Sequence, residues 1–199
     1  MNAVDEFKRE CLDRIKEYPK NKSLKEAAES FMSTTGDTKY SYNFTWMGRP
    51  IIQYPQDIIA MQEIAWQVKP DLIIETGIAH GGSLIFYASM LELLGGDGHV
   101  VGIDIDIRKH NRVEIEKHPL FRRITMIEGS STDEKITEEV RQLAGGKRVL
   151  VCLDSNHTHG HVLRELELYA PLVSVGSYCV VFDTIIEDMP EGSFPDRPW

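Results

Sequence analysis

From residue 70 onward the chain repeats one pattern five times: a short apolar run, then, for the first four, a helix-like stretch. The runs are "DLIIET", "HVVGID", "RRITMIEG", "KRVLVCLD" and "SYCVVFD", and of the segments between them 83–94, 132–144 and 160–170 are helix-like and 107–118 is charged. Runs this apolar leave no face for water, and a strand buried on both sides belongs in a parallel sheet covered by helices. The pattern predicts an α/β fold with a doubly wound, mostly parallel sheet over 70–199. Residues 1–69 are expected to form an N-terminal helical cap and an aromatic cover loop. There Val4, Phe7, Cys11, Leu12 and Ile15 repeat at helical spacing and 23–32 suits a second short helix. The stretch 33–55 is rich in turn-formers and aromatics, and Pro55 opens a helix running to about Val68. At 199 residues the whole has the size of one compact unit.

Charge narrows the partners. A net charge of −9 argues against nucleic acid, because a polyphosphate needs a basic face. No stretch approaches the roughly 18 apolar residues of a membrane span, and the charged, amphipathic start resembles no export signal. Cys11, Cys152 and Cys179 are odd in number and far apart, as reduced thiols of a cytoplasmic protein are. A homo-oligomer is compatible with this composition, which neither demands nor excludes one.

In doubly wound sheets ligands sit beyond the carboxyl ends of the strands. Those ends read Glu75-Thr76-Gly77, Asp104, Glu128-Gly129-Ser130, Asp154 and Asp183. One acid at a strand end commonly caps the next helix. Five in register repel one another unless a cation or a hydroxyl-rich ligand lies among them. The first of these turns, "LIIETGIAHGGSL" at 72–84, matches neither the G-x-G-x-x-G dinucleotide fingerprint nor a phosphate loop. Its small residues let a ligand press on the backbone, and Ser83 is placed to cap the helix that follows. Asp104, at the end of the second run, can accept hydrogen bonds from two ribose hydroxyls. An adenosine ligand that needs no phosphate cradle fits, and S-adenosylmethionine is such a ligand.

Several motifs in order, "NFTWMGRPIIQYPQDIIAMQEIAWQVKPDLIIETGIAHGGSLIFYASMLELLG", "GIDIDIR", "IEGSS" and "LDSNHTHGHVLRELELYAPLVSVGSYCVVFDT", resemble the cephalosporin hydroxylase family. That family is similar in fold to Rossmann-like class I S-adenosylmethionine-dependent methyltransferases and related to macrolide sugar O-methyltransferases. The resemblance implies that Gly77, Ala79, Gly81 and Ser83 line the methionine and ribose side of the cofactor. Asp104 would hold the ribose, Ser130 or Ser131 would lie by the adenine, and Glu75, His80 and Asp154 would border the same site.

Asp154 and Asp183 end the fourth and fifth runs, so their carboxylates can reach one point, a hard oxygen site suited to Mg2+ or Mn2+. In the similar methyltransferases both positions bind metal, and an acid or Asn beside the second adds a ligand. Here Phe182 and Thr184 flank Asp183, which leaves Thr184, Glu187 or water for that place. His157, three residues after Asp154, corresponds by the resemblance to the general base, and a neutral imidazole suits that task near neutral pH. The expected reaction is metal-assisted methylation of a hydroxyl on a sugar or glycosylated metabolite.

Other readings stand beside this one. The alternating His157, His159 and His161 are similar to a zinc-binding His-x-His element, although Gly160 stands where the fuller pattern has Asp. The family's name implies oxidation, yet no 2-His-1-carboxylate spacing is evident. A non-catalytic cofactor-binding module would explain the missing acid beside Asp183. His80 is either an exposed turn residue or a neighbour of the substrate. Tyr42, Phe44, Trp46 and Tyr54, with Gln53 and Asp57, either cover the substrate or simply pack. Because the sequence ends at "DMPEGSFPDRPW", before the two last strands usual in class I methyltransferases, a shorter sheet is expected.

Overall fold

A computed structural model describes residues 2–188. It divides into two units, residues 1–40 and 41–199, so the segment 41–69 goes with the sheet. The first unit holds α1 (Ala3–Glu17) and α2 (Lys22–Asp37), whose N-termini are capped by the side chains of Asn2 and Asn21. The second helix runs further than its apolar spacing predicts. Within the added turns the Thr35 hydroxyl bonds back to the Phe31 carbonyl (2.5 Å), so its oxygen stays on the helix instead of drawing the backbone into a turn.

The second unit opens with β1 (Phe44–Trp46) and β2 (Arg49–Ile51), paired antiparallel with Phe44 opposite Ile51 and Trp46 opposite Arg49. Met47 and Gly48 both have positive φ (45° and 88°), as a two-residue type I′ turn requires. The expected loop is therefore in part a hairpin. Trp46 stacks edge-on against Phe86 with centroids 4.9 Å apart and donates its Nε1–H to Ser89 Oγ (3.0 Å), so it packs rather than covers. Next comes α3 (Pro55–Val68), with Pro55 in its first turn and left-handed Lys69 closing it before Pro70.

The sheet follows as β3 (Leu72–Thr76), α4 (Gly82–Leu94), β4 (His99–Asp104), α5 (Lys109–Glu116), β5 (Ile124–Glu128), α6 (Glu134–Ala144), β6 (Val149–Leu153), α7 (His159–Tyr169) and β7 (Cys179–Val181). All five strands are parallel, in the order β5-β4-β3-β6-β7. Every residue of β3 and β6 is buried, as their unbroken apolar runs demand. Side chains alternate between two cores. Ile73, Leu150 and Cys152 join Met61 of α3 and Leu84 and Phe86 of α4, whereas Leu72, Ile74, Val149 and Val151 join Val140 of α6 and Tyr169 of α7. Each buried aliphatic side chain contributes about 1.5–3 kcal/mol, so the carboxyl ends of β3 and β6 stand on the most firmly held part of the sheet. The strand order reverses between these two, the place where such sheets open a crevice. The expectation of a shorter sheet concerns residues beyond 188, outside those described.

Candidate functional site

The turn after β3 is built by backbone conformation. Gly77 (φ 89°), Ala79 (φ 46°) and Gly81 (φ 81°) all lie in the left-handed region. For Gly77 this is compounded by space, because a β-carbon there would sit 2.0 Å from the carbonyl oxygen of Asp154. Gly82 is needed for a different reason. Its β-carbon would meet the carbonyl oxygen of Pro50 at 2.1 Å, so β2 rests directly on the start of α4.

Successive N–H groups in such a turn form a nest for an anion, and Asp104 fills it. Its Oδ2 accepts from the N–H of Ile78 (2.7 Å) and of Ala79 (3.2 Å), and its Oδ1 accepts from Asp106 N–H (3.1 Å). Asp104 thus first shapes the turn. On the other side Arg49 donates through Nε and Nη2 to the His80 carbonyl (3.0 and 2.6 Å) and through Nη2 to Asn111 Oδ1 (3.1 Å), while Asn111 Nδ2 donates to the Ala79 carbonyl (2.9 Å). Neither residue of this clamp stands out in the sequence. Ser83 does not cap α4. The N-cap is Gly81, and Ser83 Oγ donates instead to Oε2 of the fully buried Glu75 (2.8 Å). Burial above all, with the charge of Asp154 next, pushes the Glu75 carboxyl well up from its ordinary range.

Between this turn and the hairpin lies an open cleft, lined among others by Ile51, Gln53, Gly77, His80, Ser83 and Asp154. His80 thus borders the cleft, with its carbonyl held by Arg49.

At the ends of β6 and β7 three predicted residues converge. His157 Nε2 lies 3.3 Å from Asp183 Oδ2 and 4.0 Å from Asp154 Oδ1, and one ligand atom from each residue fits within 4.8 Å of the others. Asp183 holds a left-handed φ of 56°, a conformation Asp tolerates better than most residues. Among the described residues this is the one cluster of three or more His, Cys, Asp or Glu able to meet at one ion. Burial first, and then the charge of Asp183, pushes Asp154 up to about 8; the nearby Gln53 amide opposes this, and Glu165 and Asp57 reinforce it. Burial and Asp183 also push Asp57 up. Carboxyls gathered so closely that the charge of Asp183 raises two of its neighbours fit a divalent cation. Two carboxylates and an imidazole suit Mn2+ as well as Mg2+. Thr184 opens the short 3-10 turn Thr184–Asp188 and is exposed; the place expected for a third ligand is one that His157 can also fill.

The histidine trio does not act as a unit. His161 turns to Ser131 Oγ (3.2 Å), Ser155 Oγ (3.1 Å) and Glu165 Oε1 (3.3 Å), and Ser155 Oγ donates to Glu165 Oε1 (2.7 Å). His157 and His161 thus face different partners. Ser131 is tied twice to α7, since its carbonyl also accepts from the Tyr169 hydroxyl (2.9 Å), whereas Ser130 Oγ pairs with Thr132 Oγ1 (2.9 Å).

Known proteins resemble this chain in sequence and in fold. The rhamnosyl O-methyltransferase of Mycobacterium tuberculosis is 34% identical over 152 residues, 73% of this chain and 59% of that protein. The chain therefore spans about three-fifths of such a relative. Among solved structures, CmcI described as Mg-SAM superposes with a TM-score of 0.56 at 21% identity, covering 73% of this chain and 60% of CmcI. A caffeoyl-CoA O-methyltransferase assignment from Staphylococcus aureus gives 0.55 at 14% identity, covering 90% of this chain and 75% of that one. Likenesses at this identity establish the fold, which is the Rossmann-like methyltransferase fold. A family model described as Rhamnosyl O-methyltransferase/CmcI matches residues 38–199, and the chain belongs to that family.

Proposed function

We propose that this chain binds S-adenosylmethionine and methylates a hydroxyl of a sugar or glycosylated metabolite, with a rhamnosyl group the first acceptor to try, given the names of its relatives. The observation that carries this reading is the meeting of Asp154, His157 and Asp183 beside the cleft of the glycine turn. S-adenosylmethionine supplies, when bound, an electrophilic methyl group, and Mg2+ or Mn2+ at Asp154 and Asp183, joined by Thr184 or His157, supplies positive charge that acidifies the hydroxyl. The residues of the chain do the rest by placement. Gly77, Ala79, Gly81 and Ser83 shape the seat of the cofactor, with Glu75 beneath it and His80 at its rim. Asp104 holds the turn and offers its remaining lone pairs to the ribose, and Ser130 and Ser131 stand on the adenine side. His157 Nε2 takes the proton of the acceptor hydroxyl.

A cytoplasmic setting suits the three cysteines, all of them free thiols. Among the described residues no helix is long and apolar enough to cross a membrane.

The test is transfer of a labelled methyl group from S-adenosylmethionine to rhamnosides and other glycosides, with Mg2+, with Mn2+ and with chelator. Metal-dependent labelling of a sugar oxygen is the expected result. Cofactor binding without transfer to any glycoside would return the chain to the reading of a non-catalytic module.

A further inference from the structure

Gln53 is 5% exposed, yet neither its Oε1 nor its Nε2 has a hydrogen-bond partner at ordinary length, although the amide lies near enough to Asp154 to favour that residue's carboxylate. A buried amide left unsatisfied costs stability and calls for an explanation. Its place supplies one. Gln53 lies two residues after β2 and two before Pro55 of α3, so both flanks are anchored, and it lines the cleft together with Gly77, Ser83 and Asp154. The same cleft receives the start of α4, a 13-residue helix whose N-cap, Gly81, gives no side-chain hydrogen bond to the first-turn N–H groups. An uncapped helix start favours a carboxylate. Asp154, which lines the same cleft, offers a carboxyl oxygen that an ammonium group can donate to.

Whichever way it is turned, an amide presents both donors and an acceptor. A ligand that offers a carboxylate and an ammonium on one carbon satisfies all of it at once, and an α-amino acid is that ligand. We infer that Gln53 is a cofactor-specificity residue that grips the α-amino-acid end of S-adenosylmethionine, its amide oxygen toward the ammonium and its N–H groups toward the carboxylate. This rests on the reading of the cleft as the cofactor's seat.

The experiment measures binding of S-adenosylhomocysteine and of 5′-methylthioadenosine, which lacks the amino-acid end, by calorimetry on the wild-type chain and on Gln53→Met and Gln53→Glu. The thioether of Met keeps the length of the side chain and removes its donors. Loss of charge-assisted hydrogen bonds weakens S-adenosylhomocysteine at least about tenfold in Gln53→Met. Methylthioadenosine binding stays unchanged in both variants, and in Gln53→Glu the new charge repels the ligand carboxylate. Because the amide makes no hydrogen bond of ordinary length without ligand, Gln53→Met melts no lower than wild type, while its stabilisation by S-adenosylhomocysteine shrinks. Equal losses for both ligands, or no loss for either, would overturn the inference. A wild-type chain that binds neither ligand would remove the cofactor reading itself, an outcome read before any variant is made.

Discussion

His157 presents one nitrogen to two tasks, since Nε2 lies near both Asp154 and Asp183. Substitution separates them. His157→Ala is expected to lower turnover by about 100- to 10,000-fold, the range for loss of a general base, while Mg2+ affinity measured by titration calorimetry falls by only about tenfold, the lower end for loss of a group beside the ligands. A large loss of metal affinity would make His157 a ligand instead. Asp154 carries a pH prediction. Its carboxyl is raised to about 8 in the folded chain, against about 3.9 when unfolded, so the folded form keeps a proton that the unfolded form gives up. This contribution to stability is complete below about pH 4 and is lost as pH rises through about 8. Glu75 and Asp57 are raised as well and act with the same sign. The melting temperature without metal should therefore fall between pH 5 and 8.5, less steeply in Asp154→Asn. A divalent cation competes with the same proton, so its affinity should climb over that range. These three residues were legible in the sequence because acids and a histidine at strand ends carry their chemistry in their identity. Arg49 and Asn111 were not, and Gln53 stood out only as one of several residues that either cover the substrate or pack. Arg49 meets His80 across 31 positions and Asn111 across 62, and no local spacing encodes such a meeting.

Among the elements, the parallel strands were the easiest to read, since burial on both faces writes itself as an unbroken apolar run. The hairpin was harder. Its strands have three residues each, too few to show alternation, and the Met-Gly turn lacks the usual Asn-Gly signal. Its importance lies in its contact with α4. With Pro50 O only 2.1 Å from where a β-carbon of Gly82 would stand, Gly82→Ala must push the hairpin off the helix. We expect a loss of about 2 kcal/mol or more in denaturant unfolding, together with weakened S-adenosylhomocysteine binding, because the cleft lies between those two elements. Retention of wild-type stability and binding would show that the hairpin does not form the cleft wall.

For the molecule as a whole, the division at Tyr40 leaves both core clusters within 41–199, and no described side chain before residue 41 is buried. A chain of residues 41–199 should accordingly unfold in one cooperative transition and bind S-adenosylhomocysteine, as followed by circular dichroism and calorimetry; a molten far-ultraviolet signal without cooperativity would place part of the core in the first two helices.

At the centre of the sheet Gly77 touches the backbone of Asp154, and Asp154 N–H donates to the Thr76 carbonyl (3.0 Å). The seat proposed for the cofactor and the seat proposed for the metal thus share one stretch of backbone. Two ligands on such a stretch are thermodynamically linked, and linkage is reciprocal. Whatever factor Mg2+ adds to the affinity for S-adenosylmethionine, the cofactor must add to the affinity for Mg2+. Where that factor exceeds one, the chain fills with both together at concentrations where neither binds well alone, an occupancy set by the product of two concentrations.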